Sequence, residues 1–201
     1  ETITENDTSV SIALADGRRI AADALVVGIG AEPNTMLAAG AGLALENGIA
    51  VDDHLRTSDP DIFAAGDCCS YPVAVYGGRR VRLESWRNAQ EQGNVAAANM
   101  LGKAEAFDAV PWFWSDQADL KLQIAGLSSG YDQTVIRGDQ AADKFSVLYY
   151  KNGSLLAIDA VNDVSDYMAV RRALNAGANI PADAAADSSI PLKTLITGGE
   201  A

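Results

Sequence analysis

Hydrophobic and polar positions along the chain fall into short runs whose character changes near the middle. Residues 8–14 alternate, with Val10, Ile12 and Leu14 on one side and Ser9, Ser11 and Ala13 on the other. Period two predicts a strand. Ala15-Asp16-Gly17 is a turn signal, and residues 18–21 begin a return strand. Residues 24–27 are a short apolar run, predicted as a buried strand, which stops at Gly28-Ile-Gly30-Ala-Glu-Pro33-Asn34. Asn34 or Thr35 can cap a short helix to about Ala39, ended by Gly40 or Gly42. Residues 48–51 predict another short strand. Asp59-Pro60 marks a turn, because the residue before proline is pushed out of helical space. Residues 62–65 predict a short buried strand running into Gly66-Asp67, and Gly77-Gly78 predicts a hairpin between 73–76 and 80–83. Residues 86–101 read as a helix that Gly102 ends.

Beyond Gly102 the pattern changes. Residues 103–111 read as a linker, and strands are predicted at 112–114, 120–125, 133–137, 145–150 and 155–161. Asn152-Gly153 is the strongest hairpin signal, since a type I′ turn needs positive φ at both central residues. Ser165 or Asp166 can cap a helix to about Ala176, closed by Gly177; the tail 181–201 is Ala/Asp-rich, with a final turn at 192–196. The expected fold class is therefore α/β over about 1–109 followed by a mostly antiparallel α+β half over about 110–201.

Composition narrows this further. The chain has 201 residues, 48% apolar and 21% charged, which suits ordinary globular domains. Lys+Arg 15 against Asp+Glu 27 gives a net charge of −12. That argues against nucleic acid or an anionic membrane as partner, because both need a positive field. No basic segment followed by an apolar one opens the chain, and no apolar run approaches the roughly 20 residues of a membrane span. A soluble, cytoplasmic piece is expected, and Glu1 in place of Met suggests an excerpt or a processed product. Two adjacent cysteines and one histidine exclude a disulfide framework and zinc sites of four cysteines or of two cysteines with two histidines, so no metal site is expected.

Several residues could carry chemistry. Gly28-Ile-Gly30 after a strand resembles the start of a dinucleotide fingerprint, but Pro33 stands at its third glycine position, so a tight strand-to-loop turn is the plainer reading. At 57–67, a short strand delivers Gly66 and then a carboxylate, Asp67. Glycine lets backbone approach a ligand, and an ionised carboxylate accepts hydrogen bonds from sugar-alcohol hydroxyls. The competing reading has Asp67 capping the next turn. Adjacent Cys68 and Cys69 read better as buried small residues than as a redox dithiol, since neighbouring cysteines strain a disulfide. His54, in a polar loop, reads as a surface residue.

These motifs resemble a family. Thr57…Ile62-Phe-Ala-Ala-Gly66-Asp67 resembles the second FAD motif of two-dinucleotide-fold flavoproteins related to the disulfide reductases. Gly28-Ile-Gly30-Ala-Glu-Pro33-Asn34 resembles the return of such a chain from an NAD domain into an FAD domain. Val81-Arg-Leu-Glu84-Ser85-Trp86-Arg-Asn88-Ala89-Gln90-Glu91-Gln92-Gly93 and Pro111-Trp112-Phe113-Trp114-Ser115-Asp116-Gln117 narrow the resemblance. They are similar to the NADH-dependent ferredoxin reductases that serve bacterial cytochrome P450 and aromatic-ring oxygenases. The resemblance implies that 1–27 is the tail of an NAD domain, 28–109 the second half of an FAD domain and 110–201 a C-terminal interface domain. It also implies FAD as cofactor, NADH as substrate and a [2Fe–2S] ferredoxin as partner. The two Gly-rich fingerprints of the family are absent, so this reads as the C-terminal half of a longer reductase.

Carried over residue by residue, Gly66 and Asp67 would hold the ribityl chain, and Ser85 and Trp86 would lie against the isoalloxazine. Trp114 would sit near the exposed flavin edge, against the plain reading of a core-packing residue, and Glu84 would position the nicotinamide, against that of an exposed strand-end Glu. No side chain is implied as a general acid or base. Trp112 and Trp114 should share one strand face and Phe113 the other. Arg79, Arg80, Arg82 and Arg87 concentrate positive charge that could steer an acidic ferredoxin, against the plain reading of a solvated hairpin; Arg171-Arg172 could add to it. Competing readings are another pyridine-nucleotide flavoprotein, of the apoptosis-inducing-factor or nitrite-reductase-associated kind, and a non-catalytic interaction or dimerisation module. A homodimer stays open.

Overall fold

The alternating N-terminal run folds as a three-stranded antiparallel meander in the computed structural model of the chain, which describes residues 2–6 and 8–199. Its strands are β1 (Thr2–Asn6), β2 (Ser9–Ala13) and β3 (Arg19–Ala22). The Asn6 side-chain oxygen accepts from the backbone N–H groups of Thr8 and Ser9, both at 3.0 Å, and so shapes the first turn. Gly17, at φ +85°, supplies the left-handed residue of the second. The strand expected at 24–27 does not form: the segment carries no regular element, and Val26 is 95% exposed. An apolar run becomes a buried strand only where neighbouring strands satisfy its backbone, and among the described residues none pairs with it. Glu1, Asp7 and residues 200–201 of the expected tail lie outside the described residues.

The chain forms two compact units, 1–32 and 33–201. The second opens with the short helix α1 (Met36–Gly40), whose first N–H donates to the Asn34 side chain at 3.2 Å. Next comes a small sheet of β4 (Ile49–Ala50), β5 (Cys69–Val73) and β6 (Arg79–Val81), in that spatial order. The β4–β5 pairing is parallel and spans only two residues, which leaves Pro72 outside it, where its missing N–H costs nothing. The hairpin pairs β5 rather than 73–76 with β6. Residues 74–76 instead form a 3₁₀ turn, leading into the left-handed Gly77 and Gly78. The strand expected at 62–65 reduces to one bridge, Arg56 to Phe63, with hydrogen bonds to the 55–57 loop in place of a ladder.

Helix α2 (Trp86–Met100) starts where Ser85 accepts from Asn88 N and ends before the left-handed Gly102. A five-stranded antiparallel sheet follows, in the order β7 (Trp112–Gln117), β8 (Leu120–Gly126), β11 (Ser154–Val161), β10 (Lys144–Lys151), β9 (Gln133–Asp139). Asn152 and Gly153 both have positive φ, as the type I′ hairpin requires. Helix α3 (Val164–Asn175) packs Tyr167, Val170, Ala173 and Leu174 onto Leu148, Tyr150 and Ile158 of this sheet. Its cap is Asp163, which accepts from Asp166 N at 3.1 Å, and not Ser165 or Asp166. Asp166 is spent on Arg137, at 3.0 Å in the core, and Arg137 also donates to the carbonyls of Ala185, Asp187 and Ile190. That ties down the tail, with its short helix α4 (Ala182–Ala185). No helix among the described residues is long and apolar enough to cross a membrane.

The small and large sheets are joined through Tyr76. Its hydroxyl donates to Leu156 O at 2.7 Å and accepts from Leu127 N at 2.8 Å. Gly126 is obligatory beside it, because a Cβ there would meet Leu156 O and sit 2.7 Å from that hydroxyl. Cys68 and Cys69 are both free thiols, and Cys69 is a buried core residue that packs with Tyr71, Val73 and Phe107. Burial pushes the Cys69 thiol up to about 12, and it raises Tyr71 and Tyr150 as well, Tyr150 to about 12.

Two outcomes follow from this packing. Tyr76→Phe orphans Leu127 N and Leu156 O, and should cost about 1–3 kcal/mol in denaturant unfolding; a loss near zero would mean the joint carries no load. The buried thiol and phenols release protons in the unfolded chain before they do so in the fold. From pH 9.0 to about 12 the unfolded state therefore binds fewer protons, and stability falls as pH rises. Thermal melts across that window should show Tm declining steadily, and a flat profile would contradict this account.

Candidate functional site

The junction of β6 with α2 is built to expose polar groups beside an apolar wall. Residues 82–85 leave the strand before Ser85 caps the helix, so Glu84 and Trp86 are carried out toward solvent. Across from them, β7 and β8 present Trp112, Phe113, Ile124 and Gly126, with Leu127 just beyond β8. Between the two walls lies a cleft of about 220 Å³, also lined by Leu83, Glu84, Ser85 and Pro111. Two aromatics expected at a flavin are exposed: Trp86 at 69%, in the first turn of α2, and Trp114 at 42%, in β7.

Trp112 and Trp114 do share a face of β7. Their rings stack with centroids 5.5 Å apart. The Arg171 guanidinium lies 4.2 Å from the Trp112 ring centre and that of Arg87 lies 5.9 Å away, so the ring carries cation–π contacts from two helices. Trp112 is thus both a packing residue and the support on which the more exposed Trp114 rests.

Gly66 and Asp67 stand at a tight turn pressed against α2. Gly66, at φ +85°, is buried; its N–H donates to the Gln92 side-chain oxygen at 2.8 Å, and a Cβ on it would meet Ala89 at 3.4 Å. Gln92 is fully buried, and its amide nitrogen has no partner among the described residues. The Asp67 side chain is exposed and makes no hydrogen bond or ion pair among the described residues, so it does not cap the following turn. The Asp67 carbonyl is engaged instead, accepting from Arg82 at 3.0 Å. A left-handed glycine followed by an unspent carboxylate fits the hydroxyls of a flavin's ribityl chain, and the cleft lined by Trp112 and Phe113 fits an aromatic ring system.

The four expected arginines do not form one free patch. Arg79 donates to Ser129 O at 2.9 Å. Arg80 donates to Val51 O and Ser70 O and pairs with Glu46 at 3.2 Å. Arg82 reaches Asp67 O and Glu84, and Arg87 pairs with Glu91 at 2.6 Å, one helical turn on. Arg80 and Arg82 therefore hold the fold, while Arg79 and Arg87 stay nearer solvent.

Sequence reasoning missed Gln92, Asn88 and Asn99 as internal braces. Asn88 joins Tyr71 to Leu83 O, and Asn99 joins the carbonyls of His54 and Glu105. Buried amides on an otherwise amphipathic helix were their available signal. His54 pairs with Asp53 at 2.7 Å in an exposed loop, as expected of a surface residue.

The chain is similar to known proteins along its length. Residues 1–93 match the pyridine nucleotide-disulphide oxidoreductase family and residues 112–196 the reductase C-terminal family. The chain is 43% identical over 191 residues to the 5,5'-dehydrodivanillate O-demethylase ferredoxin reductase subunit of Sphingobium sp., covering 95% of this chain and 46% of that protein. It is 39% identical over 201 residues to putidaredoxin reductase of Pseudomonas putida, covering 100% and 47%. The crystal structure of the ferredoxin reductase for the CYP199A2 system from Rhodopseudomonas palustris superposes with a TM-score of 0.89 at 44% identity, over 96% of this chain and 48% of that one. The chain thus spans about half the length of the curated relatives it matches. Likeness runs through both halves of the chain: residues 1–93 belong to the pyridine nucleotide-disulphide oxidoreductase family and residues 112–196 to the reductase C-terminal family, in a chain similar to part of the ferredoxin reductases.

Proposed function

We propose that this chain is the C-terminal portion of an FAD-dependent NAD(P)H:ferredoxin oxidoreductase. In this reading it passes electrons from NADH to a [2Fe–2S] ferredoxin that serves a P450 or ring-hydroxylating oxygenase in the cytoplasm. The carrying observation is the cleft that sets Glu84 and Ser85 opposite Trp112 and Phe113. Residues 1–27 would be the tail of the NAD domain, 28–109 the second half of the FAD domain and 110–201 the interface domain. The FAD, when bound, supplies two-electron chemistry toward a nicotinamide and one-electron chemistry toward an iron–sulfur centre.

The side chains bind and orient. Gly66 lets the backbone come close to the ribityl chain, and the Asp67 carboxylate accepts from its hydroxyls. The N-terminus of α2, with Ser85 and Trp86, faces the ring system, where the helix dipole favours gathering negative charge. Glu84 accepts from the nicotinamide amide and holds the ring for transfer. Trp114 shields the ring's outer edge on the side where a partner docks. Arg79 and Arg87 are the members of the arginine cluster placed to steer an acidic ferredoxin. Titrating side chains have no part in this scheme, which suits a site with no histidine.

The test is NADH-driven reduction of a [2Fe–2S] ferredoxin by the full-length protein, purified with its flavin. Activity with stoichiometric FAD is expected, and a colourless protein without that activity would sink the reading. Asp67→Ala in the same protein should lower FAD content after dialysis severalfold, since it removes a charged acceptor. The 201-residue chain by itself should retain little or no FAD, read from flavin absorbance; a stoichiometric yellow product would contradict that. Arg87→Glu should slow ferredoxin reduction at low salt by roughly tenfold while leaving NADH reduction of a small dye unchanged, and the difference should fade at high salt.

A further inference from the structure

Arg82 is one of the least exposed arginines of the cluster, with 13% of its side chain accessible, and its bonds converge on two groups of the proposed cofactor site. One guanidinium nitrogen, Nη1, donates to Asp67 O at 3.0 Å and to Glu84 Oε1 at 2.6 Å; Nε lies 3.4 Å from Asn47 Oδ1. The stem runs through a gap that exists because residue 48 is glycine. A Cβ on Gly48, whose φ is +125°, would lie 2.9 Å from Arg82 Cδ and 2.6 Å from Cys68 O. The 47–49 loop is itself fastened to this turn by Ile49 N donating to Cys68 O at 2.8 Å. A buried stem, a loop shaped around it and a fork on two named acceptors form a built arrangement rather than a solvated charge.

We propose that Arg82 is a positioning residue that locks the Glu84 carboxylate and the Asp67 turn into one frame, so that nicotinamide and flavin are held in register. The inference rests on the functional reading above and adds to it. Arg82 occupies Oε1 of Glu84 and leaves Oε2 to accept from the nicotinamide amide. The same guanidinium holds the Asp67 backbone, whose side chain accepts from the ribityl chain. A shift of the flavin-binding turn is thereby passed to the nicotinamide-binding carboxylate through one rigid planar group. Misplacement of reacting groups by a fraction of an ångström is costly, which gives such a link its value.

The experiment uses the full-length, flavin-loaded protein with NADH. Arg82→Met keeps the stem against Gly48 and removes the fork. The expected result is an FAD content lowered less than in Asp67→Ala, a rise of about tenfold in KM for NADH per bound flavin and a smaller change in kcat. In a Glu84→Gln background, Arg82→Met should add no more than about twofold, because the group it positions is already weakened. An unchanged KM, or a full tenfold rise added on top of Glu84→Gln, overturns the proposal. If Arg82→Met does not hold flavin, Arg82→Lys decides. Its ammonium falls about one bond short of the Nη1 position and loosens both contacts, so KM should rise partway, and a wild-type KM overturns the proposal. Failure of the functional reading looks different: the unmutated protein would lack flavin, or Glu84→Gln alone would leave the KM for NADH unchanged, which leaves Arg82 nothing to position.

Discussion

The hydroxyl of Tyr76 is the joint on which the site depends. It sits between the small sheet and the large one, donating to Leu156 O and accepting from Leu127 N. One wall of the cleft, Leu83 to Ser85, follows the hairpin that carries Tyr76; the other wall contains Gly126 and Leu127, beside its bonding partners. A bond of ordinary strength is enough here, because both contacts are partly shielded from water. Gly126 completes the joint by leaving room that any side chain would close.

Around that joint, α2 does several tasks. Its N-terminus faces the cleft, Ala89 and Gln92 grip the Gly66 turn, and Asn88 and Asn99 fasten strands and loops that have few ladder bonds of their own. The small sheet has only two parallel pairs and three antiparallel ones, so side-chain amides replace part of what a longer ladder would supply. The large sheet needs no such help. Its five strands are paired over long registers, and its core is closed by α3 and by Arg137 holding the tail.

Much of this was legible along the chain. The strands expected in the C-terminal half formed, because each has at least one partner that is its neighbour along the chain; Asn152-Gly153 and Gly102 act through local backbone preferences that need no tertiary partner. Misreadings cluster where the partner is remote. Residues 24–27 and 62–65 have the composition of buried strands, yet a strand is defined by ladder partners, and here those residues find none or a single bridge. The cap of α3 moved to Asp163 because Asp166 is drawn into the core by Arg137, a competition invisible within a local window. In the site, Gly66, Asp67 and the exposed tryptophans were readable as motifs. The arginines were misjudged as a group, since charge spacing says nothing about which carbonyls lie within reach.

The sequence by itself determined most of the element types and the fold class, an α/β half followed by a mostly antiparallel one, and it offered candidate residues for a flavin. These follow from periodicity, turn chemistry and motif, which are properties of neighbours along the chain. Only the tertiary structure decided that Arg80 and Arg82 are spent inside while Arg79 and Arg87 stay outward, that Cys69 is a core residue, and that two sheets meet through one tyrosine to make a cleft. Those outcomes depend on distances between groups tens of residues apart, and such distances are set by packing, not by sequence spacing.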